Sequence, residues 1–459
     1  MHNGIKRLIW VYLVLLIFEG ALRKWMFPNQ ADLLLIVRDP IVLGIYWLAA
    51  RANAFPVNGF VAAIAAFTVG SVAASIITGQ HNWMVVLYGL RINYLHLPLI
   101  WVMAEVLDRR DVQRVGTFIL LIALPMTLIM IMQFRSPMNA PINRGVGGTE
   151  IGQIFGAAGR IRPPGLFAFI TGPQLFLPLA TAFFLYQASV RRHLPWWLLL
   201  VTGLAVAIAL PVSISRTAVL ATGLVGVTFV FTLFFSASRQ GSALLRTFCI
   251  LSVVGGSLYF LPVFHEGQDV FLSRWQTAAQ SSGGDAWENV SSRIFGGFLK
   301  PFHTMAQTPF FGHGIGVGSN VGARLLSGNV GFLLAEDEWD KVILELGPLL
   351  GGAFLLFRIG LTVYLGLLAL RALLYEREPL PLLLFSATGV AVLLYQWGPP
   401  TILGFAVFGS GLVLAALKTP VIETEIEIDE ELLATNLISS DPPATTIYRP
   451  PVGSRLQAI

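Results

Sequence analysis

A succession of long apolar runs is the feature that most constrains this chain. A helix needs about 20 apolar residues to cross a hydrocarbon core of roughly 30 Å. Only 12% of the 459 residues are charged, about half of the roughly 25% typical of soluble domains. The pattern predicts an all-α polytopic membrane protein with about twelve transmembrane helices, at about 8–25, 31–50, 57–78, 83–107, 112–134, 166–188, 194–212, 216–236, 244–262, 339–370, 380–396 and 401–417.

Basic residues predict the orientation of these spans. If the N-terminus is cytoplasmic, every predicted inside loop is basic, as the positive-inside rule requires. Both termini are therefore expected in the cytoplasm, and the net charge of +5 is assigned to topology, with no nucleic-acid partner. The first span is expected to be an uncleaved anchor, since no small-residue cleavage site follows it.

The spans and loops predict six segments. Two long loops are expected outside, and the larger one, between spans nine and ten, is expected to be catalytic because polar residues concentrate there. A single cysteine, Cys249, excludes an internal disulfide and a cysteine-based metal site. The segments are spans one to five (1–134), a basic glycine-rich outer loop (135–165), spans six to nine (166–262), the large outer loop (263–338), spans ten to twelve (339–417) and a disordered cytoplasmic tail (418–459).

The first outer loop carries four arginines against a single acid. Arginine forks bind phosphate oxygens bidentately, and glycine-rich backbone can close around an anion. One interpretation is a pocket for a diphosphate group, and the other is attraction to anionic lipid headgroups. Both interpretations stay open for Arg135 and Arg144, whereas Arg160 and Arg162, just before span six, favour the diphosphate pocket.

Arg216 opens span eight at the predicted outer surface. A helix N-terminus already favours anions, and an arginine there strengthens the site. An interfacial arginine reaching towards water is the alternative. Arg274 and Arg293 add cations in the large outer loop, and Arg91, inside span four, is a candidate to face a cavity for a lipid-linked substrate.

The large outer loop also carries candidate proton acceptors. His313 lies in a glycine-punctuated turn and is a candidate substrate contact, with no metal expected. The acids Glu336 to Glu338 open span ten, where the helix dipole would stabilise them. A carboxylate near several arginines is equally a candidate general base, as is Glu345 further into the span.

The order of these features resembles the O-antigen ligase and polymerase family of bacterial envelope glycosyltransferases. The resemblance covers roughly residues 150–360. Its matching pieces are GRIRPPG at 159–165, SISRTA at 213–218, Ser292-Arg293 followed by TPFFGHGIG at 308–316, and the segment from Glu336 to Gly351.

This resemblance implies transfer of a glycan from an undecaprenyl diphosphate carrier to an acceptor hydroxyl outside the bacterial cytoplasmic membrane. Neither a cofactor nor a metal would be needed. The acceptor would be a glycan, a lipid or a protein, and other polysaccharide-assembly proteins would be further partners. Arg216 and Arg293 match arginines of the family. Where the family often has a His-Asn pair, this chain has Glu336-Asp337, so Glu336 or a neighbour such as Glu338 would be the base.

Three alternatives remain open at this point. The resemblance does not separate a polymerase, which joins repeat units, from a ligase, which moves a finished glycan. A transporter or flippase for a lipid-linked saccharide would predict repeated halves and broken helices near the midplane. A non-catalytic subunit of a polysaccharide export complex would leave the outer arginines individually dispensable.

Overall fold

The computed structural model describes residues 1–149, 154–189, 194–236, 241–281, 300–328 and 331–418. Residues 300–307 are also helical, and π-helical turns Leu22–Met26 and Arg91–Leu95 extend α1 and α5. The named helices are α1 His2–Ala21, α2 Ala31–Leu34, α3 Asp39–Arg51, α4 Gly59–Ile77, α5 Trp83–Leu90, α6 Leu99–Val106, α7 Arg109–Arg135, α8 Thr171–Ser189, α9 Trp196–Val212, α10 Arg216–Ser236, α11 Gly241–Leu258, α12 Pro262–Ser281, α13 Asn320–Ser327, α14 Glu338–Glu376, α15 Leu380–Leu393 and α16 Pro400–Ala416.

Helices α8 and α16 form the centre of the bundle. Every residue from Gly172 to Ser189 is buried, and so is every residue from Ile402 to Ala416. Helix α8 packs against α7, α9, α10, α15 and α16, and α16 also packs against α6. A helix enclosed on all sides has no solvent face to make polar, which explains why neither sequence shows an amphipathic stripe.

Several helices are long and apolar enough to cross a membrane, which indicates a mostly helical membrane protein. Counting the bent pair Leu245–Leu258 and Pro262–Gln276 as one span raises the candidates from 6 to 7. Shorter apolar helices, α9, α15 and α16, lie beside them. The twelve-span layout stays a prediction. The six single candidates are Pro28–Arg51, Gly59–Ile77, Trp83–Val106, Arg109–Arg135, Arg216–Phe235 and Glu338–Glu376.

A small hairpin departs from the predicted all-helical fold. Strands β1, Phe155–Ala157, and β2, Arg160–Ile161, pair antiparallel within the segment predicted to be the first outer loop. The turn between them has positive φ at Ala158 (49°) and Gly159 (74°). Two successive positive φ values give a tight turn whose twist matches the strands, so this part of the basic loop is ordered.

A sharp corner joins α11 to α12. The two helices are bent by 82°, and Pro262 takes the first position of α12, where its missing N–H costs nothing. The predicted outer loop 263–338 is therefore largely helical where it is described. Residues 282–299, and the predicted tail beyond Lys418, lie outside the described residues.

Helix α14 is broken near its start. Gly347 has φ 79° and ψ 170°, and Pro348 follows it. A Cβ at Gly347 would lie 2.1 Å from the carbonyl oxygen of Phe310, and one at Gly312 would lie 2.4 Å from that of Glu345. Glycine is therefore required on both sides of this contact. Through this contact the glycine-punctuated turn packs against the broken helix.

Candidate functional site

Three segments distant in sequence converge beside the N-terminus of α10. They are the β-hairpin, the turn between α9 and α10, and helix α12. A Cβ at Gly156 would lie 2.8 Å from Ile214 Cδ1, and one at Gly267 would lie 3.2 Å from the backbone nitrogen of Val212. Glycines at these two points allow the hairpin and α12 to approach the turn closely.

The turn between α9 and α10 holds Arg216 in a constrained position. Ile214 is fully buried and has φ 47°, a left-handed conformation that costs a β-branched residue about 1–2 kcal/mol. The Ser215 hydroxyl accepts a hydrogen bond from the Ala218 amide at 3.3 Å and so caps the helix. Arg216 then begins α10, where the backbone amides favour an anion.

Arg162, Arg216 and Arg274 form what we call the three-arginine cluster. Burial, together with the charges of Arg274 and Arg216, lowers the pKa of Arg162 to about 10. Arg274 also lies within electrostatic reach of Arg216, whose guanidinium lies over the Trp275 ring at 5.8 Å from its centroid. Three like charges this close repel one another and favour a bound anion.

Two donors of this cluster have no hydrogen-bond acceptor. Among the described residues, Arg162 Nε and Arg274 Nη1 are buried without a partner. A buried, unpaired polar group carries a full desolvation penalty, and ligand oxygens would remove it. The cluster therefore has both the charge and the free donors of an anion-binding site.

Arg160 and Arg135 have a different environment. Both pair with Glu266 of α12: Arg135 Nε lies 3.4 Å from Glu266 Oε2, and Arg160 Nη2 pairs with Glu266 Oε1. Arg160 also donates to the backbone oxygens of Phe134 and Arg135, each at 3.3 Å. These two arginines are thus engaged by the protein itself.

Arg91 lies in a second charged region, between α3 and α5. Its Nε lies 2.5 Å from Asp39 Oδ2, and its Nη2 donates to the Leu35 oxygen at 2.9 Å. His96 lies 3.1 Å from the other Asp39 oxygen. Arg91 Nη1 lacks a partner within the described chain. Arg91 is thus mainly part of a structural network, with one donor remaining.

Glu338 belongs to a third group, the Glu338 network, formed with Lys341 and Arg358. Its carboxylate lies 2.8 Å from Arg358 Nη1 and 3.3 Å from Lys341 Nζ, and all three side chains are at most 2% exposed. Arg358 Cζ lies 4.0 Å from the Trp397 ring centroid. A buried carboxylate that is already paired with two cations is not accessible to the hydroxyl proton of a substrate. The geometry suits a structural counter-ion.

Glu336 and His313 are both exposed. The backbone oxygen of Glu336 accepts a hydrogen bond from Gln396, and the backbone amide of His313 donates to the Leu344 oxygen at 2.8 Å. Both contacts involve the main chain, so they fix the segments but leave the side chains accessible. Glu345 is instead buried and accepts a hydrogen bond from the Gly318 amide at 2.8 Å.

The sequence-predicted residues thus fall into separate environments. Arg162, Arg216 and Arg274 come together, whereas Arg160, Arg91 and Glu338 are each paired elsewhere. Arg293 lies outside the described residues. Glu266 was missed by the sequence analysis, although four arginines in a loop with one acid signal a partner from elsewhere in the chain.

Among the described residues, no group of three or more His, Cys, Asp or Glu side chains could hold a metal ion. No protein-family model matches the chain, and no curated protein matches it significantly in sequence.

Proposed function

We propose that the protein is a membrane glycosyltransferase of the outer face of the bacterial cytoplasmic membrane. It moves or polymerises a glycan from an undecaprenyl diphosphate carrier onto an acceptor hydroxyl, as an O-antigen or exopolysaccharide polymerase or ligase. The twelve-span layout with both termini in the cytoplasm belongs to the same proposal. The acceptor is a glycan, a lipid or a protein.

The observation that carries this proposal is the three-arginine cluster at the start of α10. Its buried donors without partners are Arg162 Nε and Arg274 Nη1. A diphosphate offers several charged oxygens, and arginine forks bind such oxygens bidentately. The apolar helices beside the cluster provide a surface for a polyprenyl chain.

The reaction places its developing charge on the diphosphate. The acceptor oxygen forms a bond to the anomeric carbon while the bond between that carbon and the diphosphate oxygen breaks. The bonding electron pair stays on the phosphate oxygen, beside the three-arginine cluster, and the hydroxyl proton passes to a base. Preorganised cations at the point of developing charge stabilise such a transition state.

Glu336 is a better candidate for the base than Glu338. It is exposed, whereas the Glu338 carboxylate is held by Arg358 and Lys341. A general base must reach the proton that it accepts and must not already be fully engaged. The exposed side chain of His313 is the next candidate.

A second candidate function is transport of the lipid-linked saccharide across the membrane. The break at Gly347–Pro348 in α14 is the observation that favours it, because transporters often use broken helices at their binding sites. The cluster lies at the N-terminus of α10, beside segments predicted to form the outer loops, and this position favours chemistry at one face.

The test is a transfer assay with the purified protein in detergent. The donor is an undecaprenyl diphosphate-linked oligosaccharide, and EDTA is present to remove metal ions. We expect release of the free carrier together with longer or transferred glycan, and the ladder of product sizes separates a polymerase from a ligase. Donor movement across liposomes without turnover would replace this proposal by the transporter.

A further inference from the structure

The three-arginine cluster contains two guanidinium groups, on different structural elements, that repel each other. Arg162 follows the β-hairpin, and Arg274 lies on α12, about 12 Å along that helix from Glu266 at 1.5 Å per residue. Both guanidiniums are positive, and each lies within electrostatic reach of the other. When no anion is bound, an attractive contact between the hairpin and α12 is needed to offset this repulsion.

Glu266 makes the contacts that do this. One carboxylate oxygen pairs with Arg160 on β2, and the other lies 3.4 Å from Arg135 at the end of α7. The three side chains are 30%, 33% and 48% exposed for Glu266, Arg160 and Arg135. A single carboxylate therefore links α12, the hairpin and α7.

The link acts on Arg162 through the strand. Arg160 and Arg162 are two residues apart, and alternate residues of an extended chain point to the same side. The Arg162 amide donates to the Ile154 oxygen at 2.9 Å, which continues the hairpin pairing beyond β2. Fixing Arg160 against α12 therefore also fixes the direction of Arg162.

We propose that Glu266 is a positioning residue, which holds Arg162 and Arg274 together so that the anion site exists before its ligand arrives. This inference rests on the proposed function, because it assigns the cluster to a diphosphate. Glu266 does not contact the ligand; it acts through Arg160 and α12. The role differs from general stabilisation, since it predicts a loss confined to binding.

Binding is tested with inorganic pyrophosphate and the full-length protein in detergent. We expect Glu266→Gln to weaken pyrophosphate binding about tenfold and to raise the donor KM about tenfold, because the variant must order its site when the ligand binds and so bears a cost that a preorganised site avoids. The kcat should stay within about twofold of the wild-type value. Glu266→Asp and the swap Arg160→Glu with Glu266→Arg should restore most of the affinity. Asp32→Asn, which breaks an exposed pair with Arg324 at 3.3 Å, is the matched control and should change neither value.

The position of the hairpin is tested separately, without any ligand. Spin labels at the exposed residues Ala158 and Asp269, in a Cys249→Ser background, report the distance from the hairpin to α12. We expect Glu266→Gln to broaden this distance distribution and Asp32→Asn to leave it unchanged.

The outcomes separate the two proposals. An unchanged distance distribution in Glu266→Gln, or a swap variant as weak as the single variant, overturns the positioning role while leaving the glycosyltransferase proposal in place. A wild-type protein that does not bind pyrophosphate overturns the anion site, and the positioning role falls with it.

Discussion

The three-arginine cluster and the Glu338 network are both groups of buried or half-buried charges, but they are balanced differently. In the Glu338 network a carboxylate holds Lys341 and Arg358 at 3.3 and 2.8 Å, and Arg358 also donates to two backbone oxygens. In the three-arginine cluster, burial and the positive charges of Arg274 and Arg216 together lower the pKa of Arg162.

The difference indicates which group serves the fold and which serves a ligand. A buried charge is tolerated when it is paired and hydrogen-bonded, as the Glu338 network is. Positive charges that lie close together and include N–H donors without an acceptor destabilise the fold. A bound anion would offset that cost. Four predictions test this distinction, from the largest expected effect to the smallest.

Removing a charge from the Glu338 network should damage stability. We expect Arg358→Ala to lower the free energy of unfolding by about 3–5 kcal/mol, because it leaves the Glu338 carboxylate buried without its main partner. Unfolding in detergent measures the change. Arg371→Ala, at an exposed position of the same helix, is the control, and equal stability of the two variants would refute the structural assignment.

Removing a charge from the three-arginine cluster should instead damage activity. We expect Arg216→Ala to reduce glycan transfer about 100- to 1000-fold, the usual effect of deleting a donor to developing charge, with the free energy of unfolding unchanged or raised. Arg216→Lys should recover little, since lysine lacks the bidentate fork. The same loss is predicted for Arg293→Ala. Near-normal transfer by Arg216→Ala would eliminate the diphosphate site.

Glu336, which lies just before α14, and Glu338, its first residue, should differ in the same way. We expect Glu336→Gln to lower kcat about 100-fold without loss of stability, as removal of a general base does, and Glu338→Gln mainly to lower stability. Transfer rates and unfolding are measured on the same preparations. If Glu336→Gln is fully active and stable, the base lies elsewhere, with His313 as the next variant to make.

The smallest effect concerns pH. The lowered pKa of Arg162, about 10, means that its positive charge is present below that pH and is lost as the pH rises through it. Sulfate, whose charge is constant over this range, should bind with an affinity that changes less than about twofold between pH 7 and pH 9 and falls above pH 10. An affinity that falls already between pH 7 and pH 8 would point to a different titrating group.

Part of the site could be predicted from the sequence because its arginines stand out in the charge pattern. Arg216 was selected by its position at a helix N-terminus, and Arg274 as a cation of the second predicted outer loop. Arg162 was selected because four arginines in a loop predicted to lie outside contradict the positive-inside rule. The same rule selected Arg160, although that side chain pairs with Glu266. Charge patterns identify an excess of cations but not the distant acid that neutralises one of them.

The fold shows the same division between local and distant information. Apolar runs predicted a helical membrane protein, and the break at Gly347–Pro348 follows from local chemistry. The hairpin at 155–161 depends on a two-residue turn that includes Ala158 in a conformation that alanine rarely adopts. The pairing of Arg91 with Asp39, 52 residues apart, depends on helix packing and left no local signal.

The most direct test of the central claim is equilibrium binding of undecaprenyl diphosphate, without glycan, to the purified protein in detergent. Wild-type protein and Arg324→Ala, which changes an exposed arginine paired with Asp32, should bind equally. Arg162→Ala, Arg216→Ala and Arg274→Ala should each bind at least about tenfold more weakly, a difference of about 1.4 kcal/mol. Equal binding by all five proteins would contradict the assignment of the three-arginine cluster to the carrier diphosphate.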